Sequence, residues 1–301
     1  MTRSLPGWSD WQPIPGLPPL SAAVLAETID GGQAFRWHRQ PDDIFLGQWS
    51  DHVVRLRRGA DGRTEWSTAV DRVKQTAPAL RTYLGLDRDF PELTDSLPWR
   101  SDAHLAACLA AYPGLRILRQ PFGETLLGFL CSATKQIVQI KQMMALLATR
   151  HGDEIAPLVH RLPTWSQLAA IPEAELRACL LGFRARYIAQ TARFLAAHPG
   201  WLEETEQLPY TAAKERLCSL PGVGEKVADC VLLFGAGRLE AFPVDVWIIR
   251  TMELRYGLTG WTPAQIAHFG RTHFGPLAGL AQQFLFSWER ENRAAGSLPN
   301  K

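Results

Sequence analysis

A chain of 301 residues with 46% hydrophobic and 21% charged residues can build one large or two ordinary domains, each with its own core. No apolar run approaches the roughly 20 residues that span a bilayer. Five scattered cysteines (Cys108, Cys131, Cys179, Cys218, Cys230) form neither a disulfide framework nor a Cys-x-x-Cys zinc pattern, and a net charge of +2 permits a nucleic-acid partner without demanding one.

The opening Met1-Thr2-Arg3-Ser4-Leu5-Pro6 has no apolar leader, so a reducing cytoplasm or nucleus is expected. The first third reads as β-rich. Segments around 35–38, 44–49 and 53–57 are short, rich in β-formers and separated by turn residues such as Gln40-Pro41-Asp42-Asp43. Gly59-Ala60-Asp61-Gly62 predicts a hairpin turn into Thr64-Glu65-Trp66. A helical pattern over about 70–84 contains Pro78, which can kink it.

From about Ser101 the period becomes helical. Thr164 predicts a cap before Trp165, and Pro172 opens the next helix. The stretch 174–198 predicts two helices broken near Gly182. Thr262-Pro263 starts another, and Gly275-Pro276 separates the last two. The organisation expected is a β-rich domain over 1–115 and a helical domain over 116–301, joined by a change of period with no flexible linker.

The densest chemistry lies in Leu220-Pro221-Gly222-Val223-Gly224-Glu225-Lys226. A predicted helix ends before it and another begins near Glu225. Gly222 and Gly224 let the backbone turn tightly, and the following helix aims free amides at an anion. Downstream, Pro243-Val244-Asp245 precedes a helical run over 246–256, so Asp245 is a natural N-cap. A carboxylate there can stabilise positive charge on a sugar, while a neutral Lys226 amine can attack C1′ and form an imine.

Together these strings resemble the helix-hairpin-helix and Gly/Pro-Asp signature of a base-excision glycosylase superfamily, whose bifunctional members carry a lysine at the position of Lys226. A closer resemblance, to the 8-oxoguanine DNA glycosylase family, rests on six segments in order. They are Gly32-Gln33-Ala34-Phe35-Arg36-Trp37, Leu118-Arg119-Gln120, Phe129-Leu130-Cys131-Ser132, Gly182-Phe183-Arg184-Ala185-Arg186-Tyr187, the hairpin with Asp245, and a last block running from Phe274-Gly275-Pro276 to Ala281-Gln282-Gln283-Phe284-Leu285-Phe286.

The resemblance implies an α+β fold: an N-terminal antiparallel β domain like half a TATA-binding protein, packed on a mainly α-helical glycosylase core. It implies a base pocket of Gly32, Cys230, Phe234, Gln282 and Phe286, with the Gly32 carbonyl accepting the N7–H that oxidation creates on guanine. Leu220, Gly222, Val223 and Gly224 are to grip the DNA backbone. Carbonyls of Cys218, Leu220 and Val223 are to offer a place for a structural cation, with no cofactor required and no other metal site. Thr134, Gln139, Phe183 and Arg184 are to face the gap and the opposite base.

Two departures stand out. Relatives commonly carry an asparagine run where this chain has Thr134-Lys135-Gln136, and a second arginine where it has Gln139. The expected partner is double-stranded DNA containing oxidised guanine, met by a monomer with no membrane, in the nucleoid of a bacterium or the nucleus of a eukaryote. Two alternatives stay open on the residues alone: a glycosylase for another damaged, alkylated purine, which needs neither Lys226 nor the Gly32 acceptor, and a catalytically silent DNA-binding module.

Overall fold

The computed structural model describes residues 7–294; the N-terminal residues 1–6 read above lie outside them. In chain order the N-terminal part holds β1 (Gln12–Pro13), α1 (Ala22–Asp30), β2 (Trp37–Arg39), β3 (Phe45–Trp49), β4 (His52–Arg58), β5 (Thr64–Ser67), α2 (Val73–Tyr83), α3 (Phe90–Asp95) and α4 (Ala103–Ala111). The five strands form one antiparallel sheet in the order β1-β5-β4-β3-β2. The expected strands are all present. Helix α1 is an addition to the β-rich reading, capped by Ser21, whose hydroxyl accepts from the Val24 amide.

Alternation explains which face the sheet buries. In β3, Phe45 and Trp49 point inward, as do Val54 and Leu56 in β4. Trp37 is fully buried and lies across Gly47, where a Cβ would come within 2.3 Å of the indole. The Trp37 indole N–H donates to the Tyr83 hydroxyl at 2.9 Å, and Trp49 stacks on Tyr83 at 4.3 Å. These rings fasten α2 to the sheet, and Pro78 sits within that helix without ending it.

The helical core follows as α5 (Phe122–Leu130), α6 (Ile137–His151), a small ribbon of β6 (Glu154–Ala156) and β7 (Val159–His160), α7 (Trp165–Ala170) and α8 (Glu173–Leu176). A π-helical turn, Arg177–Leu181, leads to α9 (Arg184–Ala197), α10 (Trp201–Gln207), α11 (Tyr210–Cys218), α12 (Glu225–Phe234), α13 (Val246–Tyr256), α14 (Pro263–Phe274) and α15 (Ala278–Ala294). Thr164 and Thr262 each form a capping box with a glutamine three residues on. No described helix is long and apolar enough to cross a membrane, and all five cysteines are free.

The sheet and the helical core are tied by buried polar bonds. The Gln33 side chain donates to the Arg116 carbonyl at 2.9 Å and accepts from the Leu118 amide at 2.9 Å. Gln120 donates back to the Gln33 carbonyl at 2.6 Å. Arg36 and Gln48 both donate to the His160 carbonyl, at 2.7 and 2.8 Å. A buried amide that loses such partners costs about 1–3 kcal/mol, so these bonds hold the loop at Gly32 in register with the helical core.

Candidate active site

Helix α12 begins at the hairpin and is buried over its whole remaining length, from Val227 to Phe234. Lys226 stands at its open end, half-buried. Its Nζ lies 3.3 Å from the Ser132 hydroxyl and 5.1 Å from the centre of the Phe129 ring. The Ser132 Oγ donates its own proton to the Phe129 carbonyl at 2.7 Å, so toward Lys226 it can only accept. One turn along, burial pushes the Cys230 thiol up to about 12, with the Lys226 charge opposing. Glu225, adjacent in sequence, is exposed and reaches toward Lys214 on another face.

Asp245 caps α13. Its Oδ1 accepts from the amides of Trp247 and Ile248, at 3.0 and 2.9 Å. Burial raises its carboxyl above the ordinary aspartate range, opposed by the Ile248 amide, the Lys226 charge and the Trp247 amide. Lysine and carboxylate thus act on each other electrostatically.

The remaining pocket candidates gather at α15. Gly32 has φ +116°, and a Cβ there would meet Ile137 Cδ1 at 3.0 Å and Phe286 Cζ at 3.7 Å. Gln282, one turn before Phe286, is buried, and its Oε1 has no partner among the described residues. A buried amide oxygen without a partner marks a place where a ligand's donor is worth most. Phe234 serves packing: it is buried and stacks on Phe129, behind the lysine.

In the hairpin, Leu220 and Val223 are buried while Gly222 and Gly224 are exposed. The Val223 amide donates to the Leu220 carbonyl at 3.1 Å. Gly222 needs its freedom twice, for φ +79° and because a Cβ would come within 2.6 Å of the Tyr187 ring. Around Gly224 the space is open. Behind the hairpin, buried Asp229 joins α12 to α11 through the Tyr210 hydroxyl at 2.7 Å and Lys214 Nζ at 3.0 Å.

The gap-facing candidates divide. Phe183 is 51% exposed and packs edge-on to Tyr187. Thr134 is exposed with φ +54°. Gln139 and Arg184, by contrast, are engaged within the protein. The Gln139 side chain accepts from the Gln136 amide at 3.2 Å, capping α6. Arg184, expected to face the opposite base, is only 3% exposed and donates inward to the carbonyls of Ala133 and Leu181 and to the Thr134 hydroxyl. It clamps the gap loop.

Two family models divide this chain: "8-oxoguanine DNA glycosylase, N-terminal domain" matches residues 18–126, and "HhH-GPD superfamily base excision DNA repair protein" matches residues 127–273. The N-glycosylase/DNA lyase of Arabidopsis thaliana is 33% identical over 279 residues, covering 87% of this chain and 76% of the relative. The chain belongs to the 8-oxoguanine DNA glycosylase family. The Saccharomyces cerevisiae N-glycosylase/DNA lyase is 32% identical, over 79% of this chain and 70% of the relative. Among solved structures, a Clostridium acetobutylicum 8-oxoguanine glycosylase/lyase in complex with double-stranded DNA superposes with a TM-score of 0.82 at 32% identity, covering 89% of this chain and 92% of that one.

Three contacts of this glycosylase escaped the reading of its sequence. Ser132 and Phe129 were legible as part of a motif but not as the seat of Lys226, because they lie 94 and 97 positions away from it. Tyr187 lies in the same motif as Phe183, yet nothing in its spacing signals that it covers Gly222. That contact separates the two hairpin glycines experimentally. In Gly222→Ala, clash and strain together should cost about 2–4 kcal/mol, lowering Tm by roughly 5–10 °C. Gly224→Ala should hold Tm within about 2 °C and weaken binding to duplex DNA. Thermal melts paired with a binding titration check both, and equal Tm losses would contradict the assignment.

Proposed function

We propose that this chain excises 8-oxoguanine from duplex DNA and nicks the strand through an imine on Lys226. The observation that carries this reading is the convergence of Lys226, Cys230 and Asp245 at the end of a buried helix, beside a hairpin suited to phosphate. The family's named relatives are N-glycosylase/DNA lyases.

The chemistry follows from the groups present. The flipped base enters between Phe286 and Cys230, with the unpartnered Gln282 Oε1 offered to its Watson–Crick edge and the Gly32 carbonyl to its N7–H. Asp245 stabilises the positive charge that develops on the sugar as the glycosidic bond breaks. The Lys226 amine attacks C1′, the base leaves with the bonding electrons and the amine loses a proton; the C1′–O4′ bond then opens, O4′ takes up a proton, and a covalent iminium forms. Removal of a C2′ proton then expels the 3′ phosphate by β-elimination. Because the Ser132 proton is committed to Phe129, a neutral Lys226 meets Ser132 only as a donor, leaving its lone pair free for the sugar. No step needs a cofactor. At the hairpin, the Leu220 carbonyl accepts from Val223 and keeps a second lone pair, so with those of Cys218 and Val223 it suits a cation beside the bound phosphate.

Three outcomes are expected. Lys226→Gln should abolish borohydride capture and strand nicking while duplex affinity survives; capture at the wild-type level would place the nucleophile elsewhere.

Asp245→Asn keeps the Oδ1 that accepts both α13 amides and removes only the charge. A carboxyl whose folded pKa is raised by burial favours folding below its unfolded pKa, and this contribution is lost as pH rises through the folded value. Neutralising it should therefore leave Tm at pH 7 equal or slightly higher, while single-turnover excision falls at least about a hundredfold. A collapse of Tm would assign Asp245 to capping.

Cytosine readout needs donors aimed at its edge, yet the Arg184 guanidinium is committed to carbonyls, and Gln139, held through its Oε1 as a cap, offers only an uncharged amide N–H in place of a second guanidinium. Excision opposite cytosine should remain preferred, by less than roughly a thousandfold. Four duplexes differing only in the opposite base measure this margin, and a larger one would contradict it.

A further inference from the structure

Leu180 combines a strained backbone with an exposed apolar side chain. It sits in the π-helical turn at φ +63°, a conformation that residues other than glycine, asparagine and aspartate rarely adopt. Burial does not offset the strain, since Leu180 is 57% exposed. The conformation is imposed from three sides. Arg150 donates to the Ala178 carbonyl at 2.9 Å, Arg177 to the Gly182 carbonyl at 3.1 Å, and Arg184 to the Leu181 carbonyl at 3.2 Å. Arg177 is itself held by Glu173 at 2.6 Å. Backbone strain that its surroundings over-determine in this way collects at functional sites.

Phe183 follows three residues later, also exposed, and packs on Tyr187, which covers the hairpin at Gly222. Phe183 and Tyr187 thus reach the surface assigned above to DNA backbone, and Leu180 precedes them in the π-helical turn. Arg186, exposed and without an ion pair among the described residues, lies beside it and suits phosphate. We infer that Leu180 is a second apolar wedge, acting with Phe183 against the strand opposite the lesion and holding the stack open as the damaged nucleotide leaves. With Arg184 turned inward and Gln139 capping α6, apolar insertion replaces polar readout on that side. This inference rests on the glycosylase reading above.

The test uses Leu180→Gly and Leu180→Asn, both of which accept the left-handed conformation, with Phe183→Ala as reference. Single-turnover excision is measured on 8-oxoguanine paired with cytosine, and on the same lesion facing an abasic-site analogue, where the opposite stack is already broken. On the paired duplex each Leu180 variant should lose about tenfold. Against the abasic analogue it should stay within about twofold of wild type, with Tm equal or higher. An unchanged paired-duplex rate, parallel losses on both substrates, or a Tm lowered by several degrees would each overturn the wedge. Absence of excision by the wild-type protein on both substrates would instead overturn the functional reading, and the two failures are told apart by the wild-type rate alone.

Discussion

Helix α12 cannot turn about its axis, and the site depends on that constraint. Every residue from Val227 to Phe234 is buried, including the charged Asp229, which is held by Tyr210 and Lys214. Rotation would pull apolar side chains into water at about 1.5–3 kcal/mol each and strip a buried carboxylate of its partners. The direction of Lys226, at the one open end, is therefore set by the packing of the rest of the helix. The hairpin adds a second restraint, because Gly222 lies flat against Tyr187 and admits no side chain.

The β domain acts on the site by supplying one wall. Gly32 faces Phe286 and Ile137, and its loop is held there by Gln33, which bonds both the Arg116 carbonyl and the Leu118 amide. The groups proposed for base recognition and bond cleavage are thus drawn from several parts of the chain. Gly32 comes from the first part, Cys230 and Lys226 from α12, Asp245 from the cap of α13, and Gln282 and Phe286 from α15. The Asp245 carboxylate caps α13 through two amides, and those same bonds fix it in place for the charge stabilisation proposed above.

Much of this was legible beforehand, because local signals have local causes. The strands around 45–49 and 52–58, the caps at Thr164 and Thr262, the break at Gly182 and the hairpin all follow from residue type and spacing. Helix α1 carries only a weak signal although Ser21 is a good cap, since the β-formers that follow dominate the segment. The small ribbon β6–β7 left no signal. Long polar side chains are the least legible: the resemblance assigns Arg184 and Gln139 to the opposite base, yet one turns onto carbonyls and the other caps α6. Their directions depend on loop conformations set by contacts some 50 residues away for Arg184, which no spacing rule conveys.

The most direct test of the account is to locate the covalent bond. Borohydride reduction of the protein with 8-oxoguanine duplex, followed by proteolysis and peptide sequencing by mass spectrometry, reads which amine carries the deoxyribose remnant. The chain offers six lysines: Lys74, Lys135, Lys141, Lys214, Lys226 and Lys301. The account predicts the adduct on Lys226 alone. An adduct on Lys135, on Lys141 or on the terminal amine would contradict it.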